Sequence, residues 1–433
     1  SVRFENSGKM SNFEFSFQND HTYKHNTRQE MNIRAILPDI FYVGVNDREK
    51  HRFESLWPLP HGVSYNSYIV RSHKTALIDS VEVRESLTLF SHLDEVLGGT
   101  EIDYLVVNHM EPDHSGSIPL LAAKYPEMKI VGNKQTVAMI GGFYGITDQE
   151  RFVTVCDGDK LDLGEITLRF LMTPMVHWPE TMMTFAEERR ILFTGDAFGT
   201  FGALNGGIID FETDTALYLE EAYRYYSNIV GKYGKFVQRA IEKTAPLAPE
   251  FICPTHGPIW HESIAEISAI YDRLSRYHSE PGTTIVYGSM YGNTEAMAEA
   301  IAMALAARGE KRIRIHNAGK DSLSHIISDA FRYDGLIVGA PTYSMTLFPP
   351  VDTFMKAMQT RETQNKVLGL FSSFTWASAA GKALEGYAEA MGLQVAAKTE
   401  MKQGINNEIR ADIEKFADSF MSELHKSRHA RLR

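Results

Sequence analysis

The sequence has very little cysteine: its 433 residues contain only Cys156 and Cys253, and neither lies in a CxxC pair. It therefore offers no disulfide framework and no zinc knuckle, and we expect a reducing compartment, the cytoplasm. It also lacks a run of about 18 apolar residues, the length that a membrane span requires. The formal net charge of −11 would repel the phosphate backbone of nucleic acid. We expect neither a membrane nor a nucleic acid as a partner.

The first thirty residues contain no leucine and no isoleucine. They therefore lack the apolar stretch that a secretory signal needs. Met31 begins a run that is much richer in apolar residues, MNIRAILPDIFYVGVND, so we expect residues 1–30 to be a disordered extension. At the other end of the chain, we expect the short basic segment 426–433 to be a tail, the solvated end of a helix rather than a binding arm.

Residues 31–262 consist of short β-rich runs separated by glycine, proline and aspartate. The runs are IFYVGV, NSYIV, TALID, DYLVV, ITLRFLM, RRILFTG and EFICP. Helical patches lie between them at Ser117–Tyr125 and Thr215–Gly231. We expect this half to be a sandwich of sheets covered by helices.

Residues 283–425 have a different rhythm, in which strands and helices alternate. The apolar runs TTIVYG, IRIHNA, GLIVGA, VLGLFSS and QVAAKTEM are each followed by a helical pattern. Such alternation predicts a doubly wound parallel sheet. Residues 263–282, a helical stretch followed by the turn SEPGT, form the expected linker. We therefore expect an α/β protein with two domains, because the chain is too long for one ordinary core.

Four residues that can bind metals lie close together in the segment VVNHMEPDHSG: His109, Glu111, Asp113 and His114. In an extended segment alternate side chains share a face. His109, Glu111 and Asp113 can then converge on one point. His114 can join them only if the chain turns.

Three further candidates also follow β-like runs: His177 after ITLRFLMTPMV, Asp196 after RRILFTG and His256 after EFICPT. Any one of them alone is more often a turn former or a hydrogen-bonded polar group. Together with the first four they predict a metal site. Imidazoles combined with several carboxylates favour iron or manganese over zinc or copper. An anionic oxygen shell also stabilises the ferric state, which a redox centre needs.

The segment from His109 to His114 has the pattern HxExDH, whereas hydrolases of the metallo-β-lactamase superfamily have HxHxDH. The glutamate resembles flavodiiron proteins. The phrases HWPET, FTGDAFG and PTHGP around the three later candidates are similar to that family as well. The resemblance covers residues 32–424. It implies an N-terminal metallo-β-lactamase-like αββα sandwich that holds two iron ions, followed by a flavodoxin-like domain with a doubly wound parallel sheet.

The resemblance also implies how the ligands are divided between the two irons. One iron would be bound by His109, Glu111 and His177, and the other by Asp113, His114 and His256. Asp196 would bridge the two. In some members the equivalent of His114 is not a ligand. Trp178 and Glu180 are candidates to support the ligands from behind, although Trp178 fits core packing equally well. No catalytic residue beyond the metal ligands is required.

Three loops of the second half follow predicted strands and carry hydroxyl groups or aromatic rings. The first, YGSMYGNTE at 287–295, can bind one phosphate through its hydroxyls and the N–H groups of the next helix. It lacks the GK[ST] ending of a P-loop, and no GxGxxG pattern occurs. The loops at 339–350 and 372–382 offer aromatic side chains at strand ends, where ligands bind in such sheets.

All three loops resemble those of flavodoxins, which implies bound FMN. The residues expected to contact it are Ser289, Met290, Tyr291, Gly292, Asn293, Thr294, Pro341, Thr342, Tyr343, Ser344, Ser373, Phe374, Thr375 and Trp376. The first loop would bind the phosphate, and the other two would flank the isoalloxazine ring. The third loop departs from the family, because Thr375 and Ala377 stand where relatives often have glycine.

FMN and two iron ions together imply an enzyme, a reductase of O2, of NO or of both. The resemblance further implies a head-to-tail homodimer or a homotetramer of such dimers, because the two sites of one chain lie far apart in the family. It also implies a separate electron donor, such as rubredoxin or a flavin- or NADH-dependent reductase. The alternatives are a metal-dependent hydrolase with a fused flavodoxin module, which Glu111 argues against, and an electron carrier whose first domain is only structural.

Overall fold

The computed structural model describes residues 34–431, which belong to one compact unit. The expected extension at 1–30 lies outside the described residues. Within 34–431, no helix combines the length and the apolar character that crossing a membrane would take.

The first half is built mainly from short strands. They are β1 (Arg34–Leu37), β2 (Ile40–Tyr42), β3 (Val45–Asp47), β4 (Arg52–Phe53), β5 (Trp57–Pro58), β6 (Val63–Tyr65), β7 (Tyr68–Arg71), β8 (Thr75–Ile78), β9 (Tyr104–Val106), β10 (Lys129–Gly132), β11 (Phe152–Thr154), β12 (Lys160–Asp162), β13 (Thr167–Met172), β14 (Met182–Ala186), β15 (Ile191–Gly195) and β16 (Phe251–Pro254). One sheet has seven strands in the order β1-β2-β7-β8-β9-β10-β11, and a second has five in the order β12 to β16. Side chains from both sheets share one buried apolar cluster, which confirms the predicted sandwich.

Helices separate or follow these strands, and local sequence explains their limits. They are α1 (Ser86–Leu97), α2 (Pro112–Ser115), α3 (Ile118–Lys124), α4 (Lys134–Tyr144), α5 (Ala216–Tyr225), α6 (Gly234–Thr244) and α7 (Ile264–Ser275). The Asn133 side chain accepts hydrogen bonds from the backbone N–H groups of Gln135 and Thr136 and so begins α4. Gly145 ends α4 in the left-handed conformation, with φ 69°. Helix α5 continues as a π-helical turn at Tyr226–Val230.

The second half alternates strands and helices as predicted. Its elements are β17 (Glu280–Tyr287), α8 (Asn293–Ala307), β18 (Ile313–Asn317), α9 (Leu323–Arg332), β19 (Tyr333–Tyr343), β20 (Thr346–Leu347), α10 (Pro349–Thr360), β21 (Val367–Phe374), α11 (Ala380–Ala390), β22 (Val395–Lys402) and α12 (Asn407–Arg431). Strands β18-β17-β19-β21-β22 pair in parallel in that order, which is the order of a doubly wound flavodoxin-like sheet. The short strand β20 pairs with β19 in the antiparallel sense.

Strand β19 shows why helices cover this sheet on both faces. Leu336, Val338 and Ala340 belong to the apolar cluster of the first half, whereas Ile337 belongs to a separate cluster with α8 and α12. Successive side chains of a strand point to opposite faces. Both faces are therefore buried, as parallel sheets require. The larger cluster runs without a break from the first half into one face of the second sheet.

The expected linker at 263–282 is largely the helix α7. Ile267 and Tyr271 on this helix are fully buried, and the Tyr271 hydroxyl donates to the Gly199 carbonyl at 2.9 Å. The helix therefore packs on the first half. Strand β17 begins at Glu280, three residues before the expected Thr283.

Polar side chains join the two halves. Arg361, at the end of α10, donates to the carbonyls of Ser227 at 2.8 Å and Asn228 at 3.1 Å, both in the π-helical turn. Arg224 on α5 donates to the Ser324 hydroxyl on α9 at 3.0 Å. Separating the halves would leave these donors and acceptors without their partners, which costs free energy wherever water does not replace them.

The last helix reaches Arg431, so residues 426–431 of the expected tail are helical. Arg428 donates to both oxygens of the buried Asp334, at 2.9 and 2.8 Å, and lies 2.8 Å from the buried Glu310. Two carboxylates thus fix this end of the helix to the second half, and it is more than a solvated end.

Candidate functional site

The seven predicted metal ligands come together beyond strand ends, five of them in loops and two on the short helix α2. His109 follows β9, His177 follows β13, Asp196 directly follows β15 and His256 follows β16. All seven side chains are buried. They form two groups, each with ligand atoms within 4.8 Å of one another: a first group of His109, Glu111, His177 and Asp196, and a second group of Asp113, His114 and His256.

The short helix α2 divides the VVNHMEPDHSG segment between the two groups. Glu111 precedes this helix with φ −56° and ψ 138°, while Asp113 and His114 lie on it. The expectation that Asp113 shares a face with His109 and Glu111 is therefore wrong. Pro112 begins the helix, for which its fixed φ is suited. The helical turn places Asp113 with His114 in the second group.

Asp196 lies between the two groups. Its Oδ2 is 3.2 Å from Nε2 of His177 and 3.5 Å from Nε2 of His109. Its Oδ1 is 2.9 Å from Nε2 of His114 and 3.7 Å from Nε2 of His256. One carboxylate that presents an oxygen to each group can bridge two metal ions.

Neighbouring charges decide the protonation of this cluster. Burial alone would lower the pKa of His177, but hydrogen bonds with Asp196 and Glu111 raise it to about 9. Burial is likewise outweighed by nearby carboxylates for His109 and His114, and the pKa of each is raised. Burial would raise the pKa of Asp196, but the adjacent imidazoles lower it. The imidazoles therefore carry protons where a metal ion would displace them.

Several ligand atoms are buried without a hydrogen-bond partner. Within the described part of the chain they include Nε2 of His109, His114 and His256 and both carboxylate oxygens of Asp113. Unpartnered buried polar atoms are costly and call for an explanation. Mixed imidazole and carboxylate donors of this kind fit iron or manganese. The residues present therefore fit a pair of such ions.

Further groups lie behind the ligands. The Glu180 carboxylate accepts from Nδ1 of His109 at 2.9 Å, which places it where the sequence suggested. Trp178 packs against the apolar core and also meets the His109 ring edge-on, with centroids 5.4 Å apart. Nδ1 of His256 lies 2.7 Å from the carbonyl oxygen of Ser64. Sequence reasoning missed Ser64, because a backbone atom makes this contact.

Two more side chains at the centre were missed. The Thr255 hydroxyl donates to Oδ1 of Asp196 at 2.6 Å. The Tyr225 ring lies 5.7 Å from the His256 ring, and its buried hydroxyl has no partner within residues 34–431. Burial and the nearby Asp196 raise the pKa of Tyr225 well above its usual value. Thr255 could have been found from its place beside His256, whereas Tyr225 belongs to a tyrosine-rich helix with no such signal.

A cavity of about 570 Å³ reaches the ligands Glu111 and Asp113. Much of its wall is apolar, and the charged side chains on it are Lys50, Glu54 and Glu82. Burial first, and the proximity of Glu111 second, raise the pKa of Glu54 to about 7. The cavity gives a small molecule a route to the cluster.

A second cavity, of about 490 Å³, lies at the carboxyl ends of β17, β19 and β21. It shares no lining residue with the first. All the residues predicted to contact FMN except Gly292 line it: Ser289, Met290, Tyr291, Asn293, Thr294, Pro341, Thr342, Tyr343, Ser344, Ser373, Phe374, Thr375 and Trp376. Met345, Ala377 and Gln403 also line it and were not among the predicted contacts. Gln403 directly follows β22, so the rule of strand carboxyl ends could have found it.

One end of the second cavity is suited to a phosphate. Gly292 precedes α8 with φ +90°, a conformation that favours glycine, and its N–H donates to the Ser289 hydroxyl at 3.1 Å. The hydroxyls of Thr294 and Ser373 are 2.8 Å apart and join the first loop to the third. Gly292 therefore shapes the loop instead of lining the cavity. The free N–H groups of the helix N-terminus and these hydroxyls can surround an anion.

The same cavity also presents exposed aromatic rings. Tyr291 is 92% exposed and Trp376 is 87% exposed. The Thr342 hydroxyl accepts from the N–H groups of Ala379 and Ala380 at 3.0 and 3.2 Å, which ties the second loop to the third. Exposed rings on loops held this way leave flat apolar surfaces for a planar ligand.

Comparisons with known proteins agree with both halves. A family model described as ODP family beta lactamase matches residues 63–257, and a flavodoxin model matches residues 285–416. The first match contains the metal cluster and the second contains the three loops.

An anaerobic nitric oxide reductase flavorubredoxin of Escherichia coli is 31% identical over 80% of this chain and 73% of its own length. The chain belongs to the flavodiiron protein family. Among solved structures of similar proteins, rubredoxin oxygen:oxidoreductase of Desulfovibrio gigas is 27% identical with a TM-score of 0.87, over 91% of this chain and 99% of that one. A flavo di-iron protein of Thermotoga maritima is 26% identical with a TM-score of 0.83, over 90% and 98%. The predicted family and two-domain fold are thus confirmed.

Proposed function

We propose that this flavodiiron protein is an oxidoreductase that reduces O2 to water, NO to N2O, or both. The observation that carries the proposal is the buried cluster of two ligand groups around Asp196 in a chain that also holds a flavodoxin-like cavity. The names of its E. coli and D. gigas relatives, a nitric oxide reductase and an oxygen oxidoreductase, support both substrates. Nothing in the cluster favours the hydrolase alternative, since Glu111 occupies the position of a histidine in those enzymes.

We propose that the seven residues of the two groups bind two iron ions, with Asp196 as the bridge. His109, Glu111 and His177 would hold one ion, and Asp113, His114 and His256 the other. The unpartnered nitrogen and oxygen atoms support this assignment. His114 is included because its Nε2 lies 3.4 Å from Asp113 and 2.9 Å from Asp196, within the second group.

We propose FMN as the ligand of the second cavity. Ser289, Thr294 and the N-terminus of α8 would bind its phosphate, and Tyr343, Phe374 and Trp376 would lie against its ring. When bound, FMN accepts electrons in pairs or singly and the irons alternate between two oxidation states, which supplies the reducing chemistry. The predicted domains, 31–262 for the metal site and 283–425 for the flavin, are best extended so that α7 belongs to the first and β17 and all of α12 belong to the second. Limited proteolysis can test a boundary between α7 and β17.

The chain's own residues shape the route of the gas to the cluster. Apolar side chains form much of the wall of the first cavity, and the ligands that it reaches are buried. The Tyr225 ring packs 5.7 Å from the His256 ring and so helps to hold this ligand in position. Lys50 lies at the cavity wall, where its Nζ donates to the Tyr65 hydroxyl at 2.8 Å and pairs with the Glu82 carboxylate.

We propose a head-to-tail homodimer, alone or as half of a homotetramer. The support is that the two cavities share no residue and that exposed apolar side chains border each of them: Val83 and Phe143 at the first, Tyr291 and Trp376 at the second. Large exposed apolar side chains around a functional opening often mark an interface. Analytical ultracentrifugation tests the assembly, and a monomer at micromolar concentration would refute it.

We also propose a separate electron donor and a cytoplasmic location. The name of the D. gigas relative, rubredoxin oxygen:oxidoreductase, supports a separate donor. Rubredoxin and a flavin- or NADH-dependent reductase are the donors to test, by the rate at which each reduces the bound flavin. Both cysteines are free thiols, which fits a reducing compartment.

The deciding experiment is anaerobic reduction of protein with measured iron and FMN content, followed by separate additions of O2 and NO. Loss of either gas together with flavin reoxidation supports the reductase, and the faster reaction gives its preference. Protein that holds both cofactors and consumes neither gas refutes it. Hydrolysis of esters or thioesters without reductant would favour the hydrolase.

A further inference from the structure

The first ligand group is backed by a charged residue. Oε1 of Glu180 accepts hydrogen bonds from Nδ1 of His109 and from the N–H of Met110, both at 2.9 Å. Glu180 is fully buried. Two N–H donors on one carboxyl oxygen are the arrangement that favours the ionised form of the side chain. A carboxylate behind an imidazole makes that imidazole a stronger donor to a metal ion.

The second group is backed by weaker partners. The acceptor behind His256 is the neutral carbonyl of Ser64, 2.7 Å from Nδ1. Nδ1 of His114 is buried and has no partner anywhere in 34–431. Neither imidazole gains the donor strength that an anion gives His109, because hydrogen bonds to ionised groups are the stronger ones.

The hydrogen bonds of the shared carboxylate, Asp196, also favour metal binding by the first group. Oδ1 of Asp196, the oxygen nearer to His114, accepts the Thr255 hydroxyl at 2.6 Å. Within residues 34–431, Oδ2, the oxygen nearer to His177, accepts no hydrogen bond from a hydroxyl; its hydrogen-bond partner is Nε2 of His177 at 3.2 Å. A hydrogen bond draws electron density from the oxygen that accepts it. Oδ1 is therefore the weaker donor, and it faces the second group.

We infer that the two metal positions are unequal, and that Glu180 and Thr255 are the positioning residues that make them so. The first group, with Glu180 behind it, binds its metal ion more tightly and holds iron at the lower reduction potential. The second group, where Thr255 competes for the shared carboxylate, releases its ion first and is reduced first. The inference deepens the proposed function, since it rests on the same two-metal cluster.

Release of iron to a ferrous chelator tests the difference without turnover. Iron-loaded protein kept anaerobic should lose its iron in two phases of equal amplitude. Glu180→Gln keeps an acceptor oxygen but removes the charge, so it should accelerate the slow phase about tenfold and leave the fast phase unchanged. Thr255→Val has nearly the shape of threonine but no hydroxyl, so it should slow the fast phase.

A redox titration followed by Mössbauer spectroscopy gives a second readout that a merely structural role would not move. The wild-type protein should pass through a range of potentials in which one iron is ferrous and the other ferric. Glu180→Gln should narrow that range, because the potential of the first iron rises towards that of the second. An unchanged range would contradict the role given to Glu180.

Single-phase release from the wild-type protein would overturn the inference. So would acceleration of the fast phase by Glu180→Gln, because the weaker position would then belong to the first group. If Glu180→Gln holds no iron, Thr255→Val decides: a slower fast phase supports the inference and an unchanged one overturns it. Two-phase release from protein that consumes neither gas refutes only the proposed function, whereas gas consumption with single-phase release refutes only this inference.

Discussion

The metal cluster and the flavin cavity hold their ligands in different ways. Every side chain of the metal cluster is buried, and groups such as Glu180 fix its imidazoles from behind. The flavin cavity, in contrast, leaves Tyr291 and Trp376 almost fully exposed. Metal ions need donors at set distances and angles, whereas a flat ring gains from contact area that several side chains share. A single substitution should therefore cause a large loss of iron at the metal cluster but only a partial loss of FMN affinity at the flavin cavity.

Asp196→Asn should give the largest effect and would sharpen this contrast most. Asp196 presents one oxygen to each group, so loss of its charge weakens both positions. We expect iron to fall from about two ions per chain to one or fewer, and gas consumption to fall at least about a hundredfold. Iron and FMN are measured together, and FMN should stay at the wild-type level. Asp94→Asn, an exposed change on α1, is the matched control. Normal iron content in Asp196→Asn would contradict the bridging role.

The second largest effect should be a pH dependence of iron binding at the metal cluster. Below its pKa of about 9, His177 in the metal-free protein carries a proton that a metal ion must displace. The affinity for ferrous iron should therefore fall as the pH drops below that value, about tenfold per unit for one displaced proton. Calorimetry in buffers of different ionisation enthalpy counts the released protons. An affinity that does not change between neutral pH and that value would show that His177 is unprotonated or is not a ligand.

Ser289→Ala should weaken FMN binding about tenfold, the effect of losing one hydrogen bond to a charged phosphate. Because the rest of the phosphate loop remains, binding should not be abolished. Fluorescence titration of the flavin-free protein measures the change, and iron content should be unaffected. Ser91→Ala, an exposed serine on α1, should change neither quantity. Equal FMN affinity in Ser289→Ala and wild type would remove Ser289 from the phosphate site.

Trp376→Ala should have the smallest effect, a few-fold loss of FMN affinity, since an exposed aromatic contact contributes about 1 kcal/mol. The same fluorescence titration measures it. Phe143→Ala is the control, because Phe143 is also an exposed aromatic residue but lines the other cavity. It should leave FMN binding intact. Complete loss of FMN from Trp376→Ala would break the comparison, because the flavin cavity would then be as intolerant as the metal cluster.

The same contrast explains how far the sequence could predict the molecule. The metal ligands could be predicted because side chains that can bind metals follow the predicted strands, as Asp196 follows β15. The five parallel strands were readable from their alternation with helices. The turn that sends Asp113 to the second group did not follow from strand periodicity, because a one-turn helix leaves little periodicity of its own. Only the family resemblance implied this division of the ligands. Tyr225 and the Ser64 carbonyl reach the cluster from distant elements, and only tertiary packing decides such contacts.

The contacts of Arg361 with the first half limit how the two domains could be exchanged in evolution. From the flavodoxin-like half it holds the carbonyls of Ser227 and Asn228, directly after the helix that carries Tyr225, and it also lies 5.5 Å from the Trp57 ring. Trp57 in turn donates to Glu54 on the wall of the metal cavity, at 3.0 Å. The two halves are therefore not interchangeable modules. If a different flavodoxin domain replaced the second half, these contacts between the halves would be lost. We therefore expect selection to keep both halves together in one gene.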